Sequence, residues 1–173
     1  MAPSGRPPTG VGHYLRDLVY GATDGTITTL AVVAGATGAS FPPSVGLVLG
    51  LANLVADGLS MAASNYLGMK SELEQSGQSV ASEQPWRHAL ATWGAFVCAG
   101  AIPLLAYLLA DGATGRLSTA LALALATLAV VGAARARFLD RAAWRCALEV
   151  VAIGGAAAGA AYGIGALMDG VVR

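Results

Sequence analysis

Residues 18–39 read LVYGATDGTITTLAVVAGATGA and residues 45–68 read VGLVLGLANLVADGLSMAASNYLG, two apolar runs that each contain a single acidic residue. Each run has about the 20 residues that a helix needs to cross a hydrocarbon core of roughly 30 Å. The acidic residues are Asp24 and Asp57. An ionisable side chain at such depth costs at least about 2.5 kcal/mol and usually faces a bundle interior or a polar pathway. The two runs therefore predict membrane-spanning helices whose carboxylates have a function.

The composition of the chain is that of a membrane protein. Of the 173 residues, 55% are hydrophobic and only 12% are charged, whereas soluble globular domains carry about 25% charged residues. The net charge is zero, so no basic surface for nucleic acid is expected. Cys98 and Cys146 lie in or beside apolar runs without metal-ligand spacing, and we expect both to be small buried hydrophobes.

Five apolar segments predict an all-α, polytopic membrane protein with one domain over residues 15–173. The predicted spans are 17–38, 45–67, 89–110, 118–134 and 146–168. The segment SFPPS, residues 40–44, joins the first two as a tight turn, because its prolines end one helix and start the next. Residues 1–14 are polar and rich in Pro and Gly, and they predict a disordered tail rather than a signal peptide.

The basic residues predict the topology, since cytoplasmic loops carry an excess of Lys and Arg. With a cytoplasmic N-terminus, the outside segments hold only Arg116 and Arg173. The inside segments hold Arg6, Arg16, Lys70, Arg87, Arg135, Arg137, Arg141 and Arg145. We therefore expect the N-terminus inside and the C-terminus outside. Arg outnumbers Lys nine to one, which indicates a GC-rich bacterial genome and a plasma-membrane location.

Glycines recur at intervals of four in three of the spans: Gly21 and Gly25, Gly46 and Gly50, and Gly155, Gly159 and Gly163. This spacing places each set on one stripe of a helix, where the missing side chains let backbones approach closely. The stripes predict either packing within one bundle or the seam of a homodimer. Five helices are few for enclosing a pathway, which favours a dimer.

The second span carries a polar stripe in an otherwise apolar helix. Asn53, Asp57 and Met61 are spaced at four, so each steps only about 40° around the helix. Ser60 and Ser64 lie close to the same face. Asp24 and Met61 each lie about seven residues from the predicted cytoplasmic surface and can face each other across the hairpin. Thr28, one turn beyond Asp24, can extend the polar track.

Carboxylate and carbonyl oxygens are hard ligands and a thioether is a soft one, a mixture that suits Fe²⁺ better than Mg²⁺ or Ca²⁺. The polar stripe of the second span, together with Asp24 of the first span, therefore predicts a path for a divalent transition metal. The alternative is structural, with Met61 as packing and the two aspartates as interhelical hydrogen-bonding groups. Glu72 and Glu74 fall in the loop after the second span, where they are either solvated or draw cations toward the path.

Three further features have structural interpretations. His88, beside Trp86 and Arg87, fits an interfacial position, as do Tyr20, Tyr66, Trp86 and Trp144. Glu149 is expected to pair with Arg145 at a spacing of four. No nucleophile–base pair, phosphate loop or redox motif is present in the sequence, so neither an enzyme nor a permanently bound cofactor is expected.

The first two spans resemble the vacuolar iron transporter-like family over residues 15–74. The resemblance rests on LRDLVYGATDGTITTLAVVAGATGAS, residues 15–40, and GLANLVADGLSMAASNYLGMKSE, residues 50–72. The matching signature residues are Asp24-Gly25, Gly35, Ser60-Met61, Tyr66-Leu67 and Lys70-Ser71-Glu72.

The resemblance implies a five-helix homodimer that exports Fe²⁺ or a related divalent ion, such as Mn²⁺, from the cytoplasm in exchange for protons. It also implies that Asp24 and Met61 line the pathway. In a eukaryote the location would be the vacuolar membrane.

Two departures from well-studied members matter. Those members carry Glu where this chain has Asn53, which cannot take up a proton, so that proton coupling falls to Asp57 or Asp24. They also carry a long Glu-rich cytoplasmic insert that gathers metal, and here residues 69–88 provide only three glutamates.

The residues and the resemblance together give one mechanism. Fe²⁺ enters from the cytoplasm and meets Asp24 and Met61 of both subunits at the dimer axis, while Asp57 binds either ion or proton. Two alternatives stay open at this point: a proton-coupled transporter of another small cation, and a non-transporting membrane subunit whose polar residues hold helices together.

Overall fold

The structure of the protein is a computed structural model that describes residues 10–139 and 141–172. All regular secondary structure in these residues is helical, which confirms the all-α prediction for them. The elements are a 3₁₀ helix Gly10–Tyr14, α1 Leu15–Gly38, α2 Pro43–Gln75, α3 Val80–Glu83, α4 Pro85–Leu104, α5 Ala106–Leu109, α6 Ala113–Arg135, a 3₁₀ helix Ala136–Phe138, and α7 Ala143–Val172. Of the predicted disordered tail, residues 1–9 lie outside the described residues, and Gly10–Tyr14 is the first 3₁₀ helix.

Each predicted span falls on a long helix. Among the described residues, four helical stretches are long and apolar enough to cross a membrane: Pro43–Gln75, Pro85–Leu109, Ala113–Phe138 and Ala143–Val171. Helix α1 is not among these four, because its aspartates and threonines lower its mean hydropathy. The chain is thus a multi-pass membrane protein, and the count of five spans and the topology stay predictions.

The predicted turn between the first two spans has the hydrogen bonding of a Schellman motif. Ser40 takes a left-handed conformation with φ of 54°. The Phe41 N–H donates to the carbonyl of Ala36 at 2.9 Å, and the Ser40 N–H donates to that of Thr37 at 3.1 Å. Pro43 then opens α2 at a position where its missing N–H costs nothing. Helices α1 and α2 therefore form an antiparallel hairpin.

The third span is interrupted near its end. Pro103 lies inside α4, where a proline removes one backbone hydrogen bond and clashes with the preceding turn. The Leu105 N–H donates instead to the carbonyl of Ile102 at 3.1 Å, and the short helix α5 completes the segment. The predicted span 89–110 therefore corresponds to α4 and α5 together.

Helix α1 occupies the centre of the fold. It packs against α2, α4, α6 and α7, and α4 also packs against α2. The core at this crossing contains Leu30, Val33 and Phe96, all fully buried. The polar residues of α1 are therefore surrounded mainly by other helices.

Close contact between α1 and α4 depends on glycine. A Cβ at Gly21 would meet the carbonyl oxygen of Thr92, and one at Gly25 would meet the carbonyl oxygen of Phe96. Both positions belong to the predicted glycine stripe of the first span, which serves packing within the bundle. By contrast, nothing lies within 4 Å of a Cβ added to Gly155, Gly159 or Gly163.

The cysteines differ from each other. Cys146 is buried, as predicted, whereas Cys98 is exposed on the surface of α4, contrary to the prediction, and neither forms a disulfide.

Replacing Gly25 by alanine should destabilise the protein. The new Cβ would approach the Phe96 carbonyl carbon to 2.9 Å and its Cα to 3.0 Å, and backbone atoms cannot move aside cheaply. We expect the free energy of unfolding to fall by about 1–3 kcal/mol, measured by thermal unfolding in detergent. Gly94→Ala is the matched control, because no atom lies near its added Cβ, and it should be neutral or slightly stabilising. Equal stability of the two variants would contradict this account of the packing.

Candidate functional site

A cleft of about 480 Å³ lies between the first turns of α1 and the cytoplasmic half, by the predicted topology, of α2. We call it the α1–α2 cleft. It is lined by Arg16, Asp17 and Tyr20 from α1 and by Asp57, Ser60, Met61, Ser64 and Asn65 from α2. Four residues of the polar stripe predicted on the second span therefore share one cavity wall, namely Asp57, Ser60, Met61 and Ser64.

Beyond the cleft, the hairpin is linked by polar contacts. The Asn53 amide donates to the Thr28 hydroxyl oxygen at 3.1 Å, and the Thr28 hydroxyl donates to the backbone carbonyl of Asp24 at 2.9 Å. The Asp24 side chain is half-buried and lies within electrostatic reach of Asp57. Neither Asn53 nor Asp24 belongs to the residues that line the cleft. The polar track predicted from Asp24, Thr28 and Asn53 therefore lies outside the wall of the cleft.

Glu72 and Glu74 were predicted to fall in a loop. They lie instead on the last turns of α2, which continues to Gln75. The longer helix has a physical cause, since residues 68–75 contain no proline and only one glycine. Both carboxylates are exposed, and Glu74 lies 3.7 Å from the Lys70 ammonium one turn earlier. They stand outside the cleft, on the same helix as its stripe.

The neighbours of His88 in the sequence indicated an interfacial position. That prediction is wrong, because the His88 side chain is buried inside the protein. Its Nδ1 lies 2.5 Å from Oδ2 of Asp17, and its Nε2 lies 3.1 Å from Nε2 of His13. Asp17 is only 2% exposed and also lines the α1–α2 cleft. This cluster was not predicted from the sequence, because its members come from three separate elements. The signal for it was an aspartate in the first turn of a span together with both histidines of the chain near span ends.

Asn65 connects this cluster to the cleft. Its amide donates to Oδ1 of Asp17 at 2.8 Å and to the hydroxyl oxygen of buried Thr92 at 2.7 Å. The Thr92 hydroxyl in turn donates to the His88 carbonyl at 3.0 Å. One amide on α2 therefore binds groups on both α1 and α4.

The pairing predicted for Glu149 is wrong. Its carboxylate binds Arg135 at 3.2 Å and Arg141 at 3.1 Å, whereas Arg145 lies over the ring of Trp144. Arg135 at the end of α6 and Arg141 in the segment before α7 both reach Glu149. The Arg145 guanidinium, one turn before Glu149, stacks on an aromatic ring instead. Trp86 and Trp144 are exposed, as interfacial anchors would be.

Within the described part of the chain, no group of three or more His, Cys, Asp or Glu side chains is arranged to hold a metal ion. The α1–α2 cleft nevertheless offers oxygen donors and one thioether on a single wall. This wall therefore presents both hard oxygen donors and a soft sulfur donor.

Comparison with known proteins gives an independent result. The sequence model of the VIT family matches residues 15–84 and 74–166. Vacuolar iron transporter 2 of Oryza sativa subsp. japonica is 24% identical over an alignment of 213 residues that covers 88% of this chain and 87% of that protein. Vacuolar iron transporter 1 of Eucalyptus grandis is also 24% identical, over 88% of this chain and 86% of its own. Vacuolar iron transporter 1 of rice is 38% identical over 73 residues, which are 42% of this chain and 29% of that protein.

Asn65→Ala should lower stability, because Asp17 and Thr92 would each lose a buried hydrogen-bond partner. We expect a decrease of about 1–3 kcal/mol in the free energy of unfolding, measured by thermal unfolding in detergent. Ser118→Ala removes an exposed hydroxyl that bonds only to the nearby Gly115 carbonyl, and it should be neutral. An Asn65→Ala protein as stable as the wild type would contradict the assigned hydrogen bonds.

Proposed function

Because the chain belongs to the VIT family, we propose that it is a metal transporter that moves Fe²⁺ out of the cytoplasm in exchange for protons. The observation that carries this proposal is the α1–α2 cleft, in which Asp57 and Met61 stand together on an otherwise apolar helix. The vacuolar iron transporters named above support iron as the metal. Membership of a transporter family also agrees with the expectation that the chain is not an enzyme.

The donor set of the cleft supports a transition metal. Asp57 supplies carboxylate oxygens, Ser60 and Ser64 supply hydroxyls, and Met61 supplies a thioether sulfur. Hard oxygen ligands alone would suit Mg²⁺ or Ca²⁺, and the soft sulfur shifts the preference toward Fe²⁺ and its neighbours. Mn²⁺, Co²⁺ and Zn²⁺ are therefore the competitors to test beside Fe²⁺.

Asp24 stands as the next carboxylate along the same hairpin. Its electrostatic interaction with Asp57 means that a cation near either one is stabilised by both. We propose that the ion passes from the cleft to the level of Asp24, and that Asp57 exchanges the ion for a proton. The hydrogen bond from Asn53 to Thr28 joins the two helices of the hairpin one helical turn beyond Asp24.

A homodimer would complete this pathway. One copy lines the cleft with two helices only, which leaves it open on one side. Beside the cleft, α2 exposes a stripe that contains Leu49 and Leu67, which lie on the same side of the helix as Ser60. A second copy packed on this stripe would cover the cleft and bring a second Asp24 and Met61 to it. The excess of Arg over Lys favours a bacterial plasma membrane as the location.

Asp24→Ala and Met61→Ala should reduce metal transport to background. The carboxylate and the thioether are donors that alanine cannot replace. Fe²⁺ uptake into proteoliposomes, followed with an internal pH dye, measures both ions at once. The matched controls are Asp111→Ala and Met168→Ala, since both side chains are exposed and stand apart from the cleft.

The same assay separates transport from a purely structural role. If the aspartates only hold helices together, Asp24→Asn and Asp57→Asn should function normally, because amides can still form hydrogen bonds. Retained metal flux in Asp24→Ala would disprove the assignment of Asp24. No flux of Fe²⁺, Mn²⁺, Co²⁺ or Zn²⁺ in the wild type would disprove the transport proposal.

Neutralising Glu72 and Glu74 should raise the KM for Fe²⁺ and leave the maximal rate nearly unchanged. The two exposed carboxylates would concentrate cations near the cleft by their field and would not bind them in transit. The double variant Glu72→Gln/Glu74→Gln is compared with Asp111→Asn in the flux assay. Salt screens exposed charges, so the difference in KM should shrink as ionic strength rises. A salt-independent loss of maximal rate would place these glutamates in the pathway itself.

A further inference from the structure

Three titratable side chains form a continuous line from the surface of the protein to the α1–α2 cleft. His13 stands at the outer end in the first 3₁₀ helix, with its side chain 32% exposed. His88 on α4 and Asp17 on α1 follow, and both are almost completely buried. Asp17 is also part of the cleft wall. The metal path proposed above uses none of these three residues.

The hydrogen-bond pattern assigns a proton to each link. The Asp17 carboxylate accepts, so the Nδ1 of neutral His88, 2.5 Å from Oδ2, is the protonated nitrogen. The Nε2 of His88 then carries a lone pair. It accepts from the Nε2–H of His13 at 3.1 Å, which leaves Nδ1 of His13 free to take a proton from outside. The pair is thus oriented to pass a proton inward.

The charges beside this line differ at its two ends: a carboxylate faces His13, and a guanidinium faces Asp17. Glu83 on α3 places Oε2 at 3.9 Å from Nε2 of His13. Arg16 places its Nε at 3.8 Å from Oδ1 of Asp17, which stabilises the Asp17 carboxylate and favours release of a proton from Asp17 into the cleft. The Asn65 amide, which donates to Asp17, is neutral, and so is the Thr92 hydroxyl, which donates to the backbone carbonyl of His88. The ring of Tyr14 packs on both imidazoles.

We propose that His13, His88 and Asp17 form a proton relay between the protein surface and the α1–α2 cleft. A proton binds Nδ1 of His13, and the proton on Nε2 of His13 passes to Nε2 of His88. The His88 imidazolium gives its Nδ1 proton to Oδ2 of Asp17, and Asp17 releases a proton into the cleft. Each N–H or O–H bond that breaks is matched by one that forms, so the sequence needs no other reactant, and its reversal carries protons outward.

This inference rests on the proposed metal–proton exchange and adds the route by which protons reach the metal path. Imidazole suits the task because it gains and loses a proton between about pH 5 and 8. A purely structural link between α1 and α4 would need hydrogen bonding only, which an amide provides equally well. That difference is what the experiment tests.

The test uses the full chain in proteoliposomes with Fe²⁺ as the probe, recording Fe²⁺ and proton movement together. His13→Gln is the main variant, because His13 is partly exposed and glutamine keeps a hydrogen-bonding group. We expect proton movement to fall at least about tenfold, with Fe²⁺ flux slowed accordingly. His88→Gln should behave in the same way, and Tyr14→Phe, which keeps the ring contacts, should match the wild type. Added imidazole should restore proton movement in His13→Ala.

The outcomes distinguish the two proposals. Wild-type exchange together with unchanged proton movement in His13→Gln and His88→Gln would overturn the relay and leave metal–proton exchange intact. Fe²⁺ flux without proton movement in the wild type would overturn the relay and reduce the protein to a uniporter. A wild type that moves no metal would overturn both. Loss of proton movement that imidazole restores would support the relay, since a structural defect would not respond to it.

Discussion

Polar groups in a hydrocarbon layer must be satisfied by the protein itself, and this requirement shapes the whole bundle. Helix α1 carries Asp17, Asp24 and five threonines, which lipid cannot solvate. Helix α1 accordingly lies at the centre of the bundle, in contact with α2, α4, α6 and α7. Gly21 and Gly25 let α4 approach α1 closely, and His88 of α4 binds Asp17 there while Thr92 of α4 accepts a hydrogen bond from Asn65 of α2. The central position of the most polar span therefore follows from the solvent around it.

Two polar systems meet at the α1–α2 cleft. One is the stripe of α2 with Asp57 and Met61, which offers donors for a divalent cation. The other is the line from His13 through His88 to Asp17, which offers titratable groups and a connection to the surface. Asp17 belongs to this line and also lines the cleft, and Asn65 binds it there. An exchanger needs both an ion path and a proton path that share one space, and this geometry provides a candidate for each.

The uncovered surfaces of the bundle also have consequences. In a single copy the cleft has walls from two helices, and Leu49 and Leu67 on the adjoining stripe of α2 are exposed. The glycines Gly155, Gly159 and Gly163 on α7 likewise have open space beside them. Lipid can cover apolar side chains, but it cannot supply ligands to an ion. A second copy on the α2 face is therefore the arrangement that best serves the proposed transport.

Much of the architecture and part of the candidate site could be predicted from the sequence. Hydropathy locates the helical segments, the two prolines of SFPPS locate the hairpin, and a spacing of four places Asp57 and Met61 on one face, because these depend on local chain geometry and on the solvent. Tertiary structure alone decided which helix lies at the centre, that Glu149 binds Arg135 and Arg141, and that His88 is buried against Asp17. Residues 17 and 88 are distant in the chain, and their contact depends on how α1 crosses α4, which periodicity within one helix cannot reveal.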